Sequence, residues 1–247
     1  MDGHNGKYER LLSLQAEVTQ AYRDLGITGE PEPQSLVSHP VETFYQPVPG
    51  IDCHCPCDFR NLPVKAGTVD AVITDLPYVT EWLPNVPEFS EWCARVLKPE
   101  GVLVTFYGQA HLDKCMAALG THLNYQWQFI SPLVGTNKVL GFPLQSRYQL
   151  ALVYSRARSL GKRRVVDDWI PAGRRMKGLH PHQKNPAQMQ TLVEAFSREN
   201  DLICDPCACT FVTAEACWHA NRKFIGGDLD PECLEMARQR FANLLTN

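Results

Sequence analysis

From residue 69 onward, short runs of β-branched and aliphatic residues alternate with stretches whose apolar side chains recur at helical spacing, and this alternation restricts the fold more than any other property of the chain. The runs are 69–74 (VDAVIT), 102–106 (VLVTF), 125–131, 148–154 (YQLALVY), 201–204 and 223–227, with a further short strand where Cys53, Cys55 and Cys57 alternate. Between them, Phe89/Trp92/Cys93/Val96, Leu112/Cys115/Met116/Leu119 and Met189/Leu192/Val193/Phe196 each mark one face of a helix. Strands and helices in alternation predict an α/β fold, a mostly parallel seven-stranded sheet with helices on both faces.

The 247 residues suffice for one substantial core with appendages. Residues 8–25 place Leu11, Leu14, Val18, Tyr22 and Leu25 at helical spacing before Gly26, which predicts an N-terminal helix. Pro31, Pro33, Pro40, Pro47 and Pro49 then forbid a regular helix or central strand and predict an extended arm. The expected division is 1–50 as helix and arm, and 51–247 as the main domain. Near its end, Asp230-Pro231-Glu232 reads as a helix start, with Asp as cap and Pro in the first turn.

The polar start MDGHNGKYER carries no apolar leader, and no run approaches the roughly 18 apolar residues of a membrane span, so a soluble cytoplasmic protein with no membrane partner is expected. In a reducing compartment the ten cysteines are thiols, packing residues or metal ligands rather than disulfides. The net charge of −3 excludes a global affinity for polyanions. A local basic patch remains: Arg156, Arg158, Lys162, Arg163, Arg164, Arg174, Arg175 and Lys177, dense enough for phosphate contacts, though a solvated charged loop has the same composition.

The run from Val69 to Thr74 ends in Asp75-Leu76-Pro77-Tyr78. In open α/β sheets the carboxyl ends of strands line the ligand crevice. An acid, a free backbone carbonyl and an aromatic ring suit the exocyclic amine of a base taken out of its stack: two acceptors for the amino hydrogens, one face for stacking. A plain strand-to-loop turn capped by Asp75 is the alternative.

These motifs together resemble the amino-methyltransferases of DNA, in the class whose D-P-P-Y-type motif precedes the cofactor motif, and especially the phage-type and ParB-associated members. Cys57-Asp58-Phe59-Arg60 stands where those have G-D-F-R, Leu97-Lys98-Pro99-Glu100-Gly101-Val102-Leu103-Val104 where they have L-K-P-G-G-x-L-V, and Tyr107-Gly108-Gln109 where they have Y-x-G-Q. His180-Pro181-His182-Gln183-Lys184 matches H-P-x-Q-K, the run from Asp205 to Thr213 matches D-P-F-x-G-S-G-T-T, and Phe224 to Glu232 matches F-I-G-x-[DE]-x-D-P-E. The resemblance covers about residues 51–245.

It implies a Rossmann-like fold of S-adenosylmethionine-dependent methyltransferases, with that cofactor and double-stranded DNA as partners. It implies Asp75, Leu76, Pro77 and Tyr78 as the catalytic pocket. Asp228 would bind the cofactor's ribose hydroxyls and Asp58 would lie beside its adenine. Asp205, Pro206, Thr210 and Thr213 would form the cofactor loop, with His180 and Lys184 near the methionine end. Residues 132–178 would hold the DNA contacts, and the compact build suggests a prokaryotic or phage-encoded origin. Asp rather than Ser at position 75 points to N6 of adenine over N4 of cytosine.

The loop departs from the pattern. Its two glycines fall on Cys209 and Phe211, and the glycine before Asp58 falls on Cys57. Glycine supplies positive φ and close approach, so these replacements are expected to weaken cofactor binding. Either the Phe211 ring intrudes on the methionine volume, or the loop shifts and the ring turns into the core. Two functions follow: an active enzyme, or a pseudo-methyltransferase that binds DNA or a partner, as a homodimer or beside an active homologue. No metal is expected as the main reading; the alternative is a zinc or iron–sulfur site built from Cys53, Cys55, Cys57, Cys204, Cys207 and Cys209.

Overall fold

The structure is a computed structural model that describes residues 43–138, 143–160, 166–170, 180 and 183–246. The helix expected over 8–25 and the arm up to residue 42 lie outside them. Eight strands form one sheet: β1 (Phe44–Tyr45), β2 (Ile51–His54), β3 (Val69–Asp75), β4 (Leu97–Tyr107), β5 (Asn124–Lys138), β6 (Gln145–Ser155), β7 (Leu202–Asp205) and β8 (Lys223–Gly227). Their order is β1-β2-β8-β7-β3-β4-β6-β5. The pairs β2/β8, β8/β7, β7/β3 and β3/β4 are parallel, whereas β1/β2, β4/β6 and β6/β5 are antiparallel. The sheet is therefore mostly parallel but has eight strands, not seven. The added strand is the end of the proline-rich segment, whose Phe44 and Tyr45 lie between prolines and pair along the sheet edge, where a missing N–H is tolerated.

Five helices cover the sheet among the described residues: α1 (Val86–Val96), α2 (Leu112–Leu119), α3 (Pro186–Phe196), α4 (Val212–His219) and α5 (Glu232–Leu245). Side chains alternate along a strand, so a strand buried on both sides feeds two cores. In β3, Ala71 and Ile73 enter the core that holds Met189, Leu192 and Val193 of α3 and Phe241 of α5. Val69 and Val72 enter the opposite core, with Phe89, Trp92 and Val96 of α1 and Cys115 and Leu119 of α2. The three helices predicted from apolar spacing thus form, each burying the predicted stripe.

Local chemistry sets the helix ends. The Asn185 side chain accepts from the backbone N–H of Ala187 and Gln188, and Pro186 opens α3. The Asp230 carboxylate accepts from the Glu232 N–H at 2.9 Å at the start of α5. None of the helices is long and apolar enough to cross a membrane among the described residues. Because β2, β8, β7, β3 and β4 run parallel, His54, Gly227, Asp205, Asp75 and Tyr107 end at the same edge of the sheet.

Candidate active site

Asp75 closes β3 opposite Phe106 of β4, and the chain then leaves the sheet through buried Leu76. Both oxygens of the Asp75 carboxylate are engaged. Oδ1 accepts from the Tyr78 hydroxyl, and Oδ2 lies 3.0 Å from Nζ of Lys184. The same ammonium donates to the Tyr78 hydroxyl at 3.0 Å and to Oε1 of Gln149 at 2.9 Å, and it stands 4.3 Å above the Phe106 ring centre. Desolvation of the Tyr78 hydroxyl, reinforced by the charge and hydrogen bond of Asp75, pushes its pKa well above the ordinary tyrosine value.

Tyr78 presents 38 % of its surface, and Tyr107 packs edge-on against its ring at 5.8 Å. Gly108 allows this approach, because a Cβ there would stand 3.1 Å from Cβ of Tyr78. Beside the Tyr78 ring opens a cavity of about 200 Å³ lined in part by Gln109, His111, Ser146, Tyr148 and Gln149. Of these only Gln109 lies in a recognisable motif. Gln149 and Phe106 were invisible as site residues, since both sit in strands that read as continuous sheet.

Along the same edge lies the loop after β7. Cys209 has φ 45° and Phe211 has φ 56°, so both residues adopt the left-handed conformation that glycine adopts without strain. The Phe211 ring is 0 % exposed and packs edge-on against Phe224 at 6.2 Å, inside the core. Of the two expectations for this residue, the ring direction matches the second: Phe211 takes the left-handed backbone conformation and its ring lies in the core.

The loop is bound on every side. Asp205, buried at the end of β7, accepts from Thr213 Oγ1 at 2.6 Å and from the Cys207 N–H at 3.2 Å. Burial raises its pKa to about 7, although hydrogen bonds from Thr213 and Cys207 oppose the shift. Asp228 accepts from the N–H of Cys209 at 2.9 Å and of Asp230 at 3.0 Å, and desolvation raises its pKa above the usual carboxylate range. Pro206 and Thr210 are buried. The Thr210 carbonyl accepts from Nε of Arg240, which also donates to Gln183 Oε1 at 2.8 Å and pairs with Glu215. Arg240 thus ties the loop to the segment that carries Lys184. Arg240, one of two arginines in the last helix, gave no sequence signal.

These features fit a nucleoside-bearing ligand. The left-handed residues keep the turn open, and Asp228 provides a carboxylate at the strand end. At Gly227 any Cβ would stand 2.9 Å from the His54 carbonyl.

Other expected site residues fall elsewhere. The Asp58 carboxylate is held by Arg60 at 3.0 Å, within a cluster that includes Glu88 and Asn85. His180 is half-buried, and its carbonyl accepts from Gln183 N–H at 3.1 Å. Arg156 and Arg158, expected among the DNA contacts, sit at the opposite edge of the sheet. Arg156 donates to the Leu97 carbonyl, and its N–H bonds Gly101, five residues or roughly 16 Å along β4 from Phe106. That location follows from the antiparallel course of β6, which the sequence pattern did not specify. Lys162, Arg163, Arg164, Arg174, Arg175 and Lys177 lie outside the described residues.

The cysteines of the alternative metal site are placed as follows. Among the described residues no group of three His, Cys, Asp or Glu side chains is placed to hold a metal ion. Cys53, Cys55 and Cys204 are buried as small core residues, and burial pushes the Cys55 thiol up to about 12 and the Cys204 thiol well above its ordinary value.

The sequence and the fold are similar to those of known proteins. The chain aligns, 25 % identical over 226 residues, with the type II methyltransferase M.HpaI of Haemophilus parainfluenzae, covering 73 % of this chain and 70 % of that protein. In structure it resembles the PvuII DNA methyltransferase, which is cytosine-N4-specific, with a TM-score of 0.68, 12 % identity and coverage of 78 % and 86 %. It also resembles M1.HpyAVI, solved as a complex with S-adenosylmethionine, with a TM-score of 0.56, 21 % identity and coverage of 70 % and 89 %. Structural likeness at such identity establishes the fold, that of S-adenosylmethionine-dependent methyltransferases. The family of N6/N4 methyltransferases described as DNA methylase matches residues 69–239, which include Asp75 to Tyr78, the loop after β7 and Asp228. The chain belongs to this DNA methylase family.

Proposed function

We propose that the chain is an active S-adenosylmethionine-dependent DNA methyltransferase that modifies an exocyclic amine, with N6 of adenine as its target. The observation that carries this reading is the left-handed backbone at Cys209 and Phe211 with the Phe211 ring in the core, since left-handed φ is what glycines at these positions would supply. Asp228 would hold the ribose hydroxyls, and the loop from Asp205 to Thr213 with Lys184 would line the rest of the cofactor site. The bound cofactor supplies an electrophilic methyl group.

The residues do the remaining work. Asp75 and the Leu76 carbonyl accept the two amino hydrogens, which orients the nitrogen lone pair for in-line attack. Tyr78 stacks on the flipped base, which the cavity between Gln109, Tyr148 and Gln149 receives. Pro77 stiffens the turn. Asp rather than Ser at position 75 supports adenine as the target, by resemblance to the family's motif. The exposed aromatic Tyr148, which lines the cavity from β6, is a candidate duplex contact.

The test is transfer of labelled methyl groups to duplex DNA, followed by nucleoside analysis. Methylated adenine is expected from the wild type and a loss of at least about a hundredfold from Asp75→Ala. Transfer that persists in Asp75→Ala would remove the pocket assignment, and a product on cytosine would remove the adenine target.

A further inference from the structure

We propose that Lys184 is a gate of the base pocket: its ammonium is an internal stand-in for the target amine, and a base enters only by displacing it. The inference rests on the base-pocket reading of Asp75 and Tyr78 given above. Its own evidence is the network around Nζ. The ammonium lies 3.0 Å from Asp75 Oδ2, where an amino hydrogen of a base would be accepted, and above the Phe106 ring at 4.3 Å. Tyr78 occupies the other carboxylate oxygen, and Gln149 Oε1 fixes the lysine from β6 at 2.9 Å. With only 12 % of its side chain exposed, Lys184 is an enclosed partner of Asp75, unlike a surface ion pair.

Displacing it has a chemical consequence. A base with an amino group restores what Asp75 loses, because it brings N–H donors to the same oxygens. A keto base brings an acceptor, leaving the carboxylate facing a lone pair. The freed ammonium, on a flexible stem, is suited to a DNA phosphate. Lys184 would therefore suppress occupation of the pocket in the absence of DNA, while Asp75 rejects bases without an amine.

Fluorescence anisotropy on the cofactor-free full chain tests this with three labelled duplexes: fully paired, with one unpaired adenine, and with one unpaired thymine. If the closed arrangement outweighs the open one by about tenfold, Lys184→Met should strengthen binding of the unpaired-adenine duplex over the paired one by about tenfold. The margin between adenine and thymine, which Asp75 itself sets, should not narrow, and Lys184→Arg, which keeps the charge, should retain the wild-type ratios. Equal weakening on all three duplexes by Lys184→Met would overturn the gate, since it describes a simple phosphate contact. If Lys184→Met does not fold, Lys184→Gln, which keeps an N–H for Asp75 without charge, is read by the same ratios. Wild-type ratios in Lys184→Met together with loss of the adenine preference in Asp75→Ala would remove the gate alone. Indifference of every variant to the unpaired base would remove the base pocket, and the gate with it.

Discussion

At the residue scale, Cys209 and Phe211 occupy the same backbone region for different returns. A non-glycine residue in the left-handed region is disfavoured by about 1–2 kcal/mol, a cost that glycine avoids. Cys209 is partly exposed, so Cys209→Gly should stabilise the fold, by about 0.5–1 kcal/mol after allowing for the greater freedom of glycine in the unfolded chain. Phe211 recovers its strain by burying a whole ring against Phe224, so Phe211→Ala should cost about 3–5 kcal/mol despite standing at a glycine position. Chemical denaturation of both variants checks the pair; stabilisation by both would show that the ring is not a core residue. The motif comparison identified these two positions correctly, but not the direction of the ring. Side-chain direction at a left-handed residue depends on whether a neighbouring strand offers an apolar slot, and that slot, at Phe224, is supplied by β8.

At the element scale, the turn from β7 to α4 is held by a buried acid and a buried arginine. Asp205 has its folded pKa raised from 3.8 to about 7, so the native state binds a proton that the unfolded chain has released over that interval. Its favourable contribution is present below the unfolded pKa and is lost as pH rises from about 4 to about 7. Asp205→Asn, which cannot ionise, should gain stability relative to wild type across that window, measured by urea unfolding at pH 5 and pH 8; a pH-independent difference would contradict the shift. Arg240 pairs with Glu215 while holding the Thr210 carbonyl and Gln183. Arg240→Ala should therefore cost about 3–5 kcal/mol, partly recovered by adding Glu215→Gln, because the larger share is an acid left buried without its partner.

The regular elements were more legible than these contacts. Apolar spacing marked α1, α2 and α3, and continuous aliphatic runs marked β3, β4, β7 and β8, because burial on two faces leaves no freedom in composition. The two-residue β1 has no such pattern, and Arg240 acts through long-range partners that spacing cannot reveal.

At the scale of the whole molecule, the two edges of the sheet at its strand ends differ in character. Its carboxyl edge gathers Asp75, Tyr78, Lys184, Asp205 and Asp228, while Arg156 and Arg158 lie at the other edge. The motif order made the first grouping readable, since a parallel sheet carries every strand-end motif to one side. The second arrangement was unreadable, because charge density says nothing about the course of an antiparallel strand. A working enzyme requires that the edge with Asp75 also hold a methyl donor, and the loop around Cys209 and Phe211 decides the matter. Isothermal titration of the full chain with S-adenosylmethionine measures it directly. Saturable binding with one site per chain, weakened at least about tenfold by Asp228→Ala, is the predicted result; no heat at millimolar cofactor would contradict it.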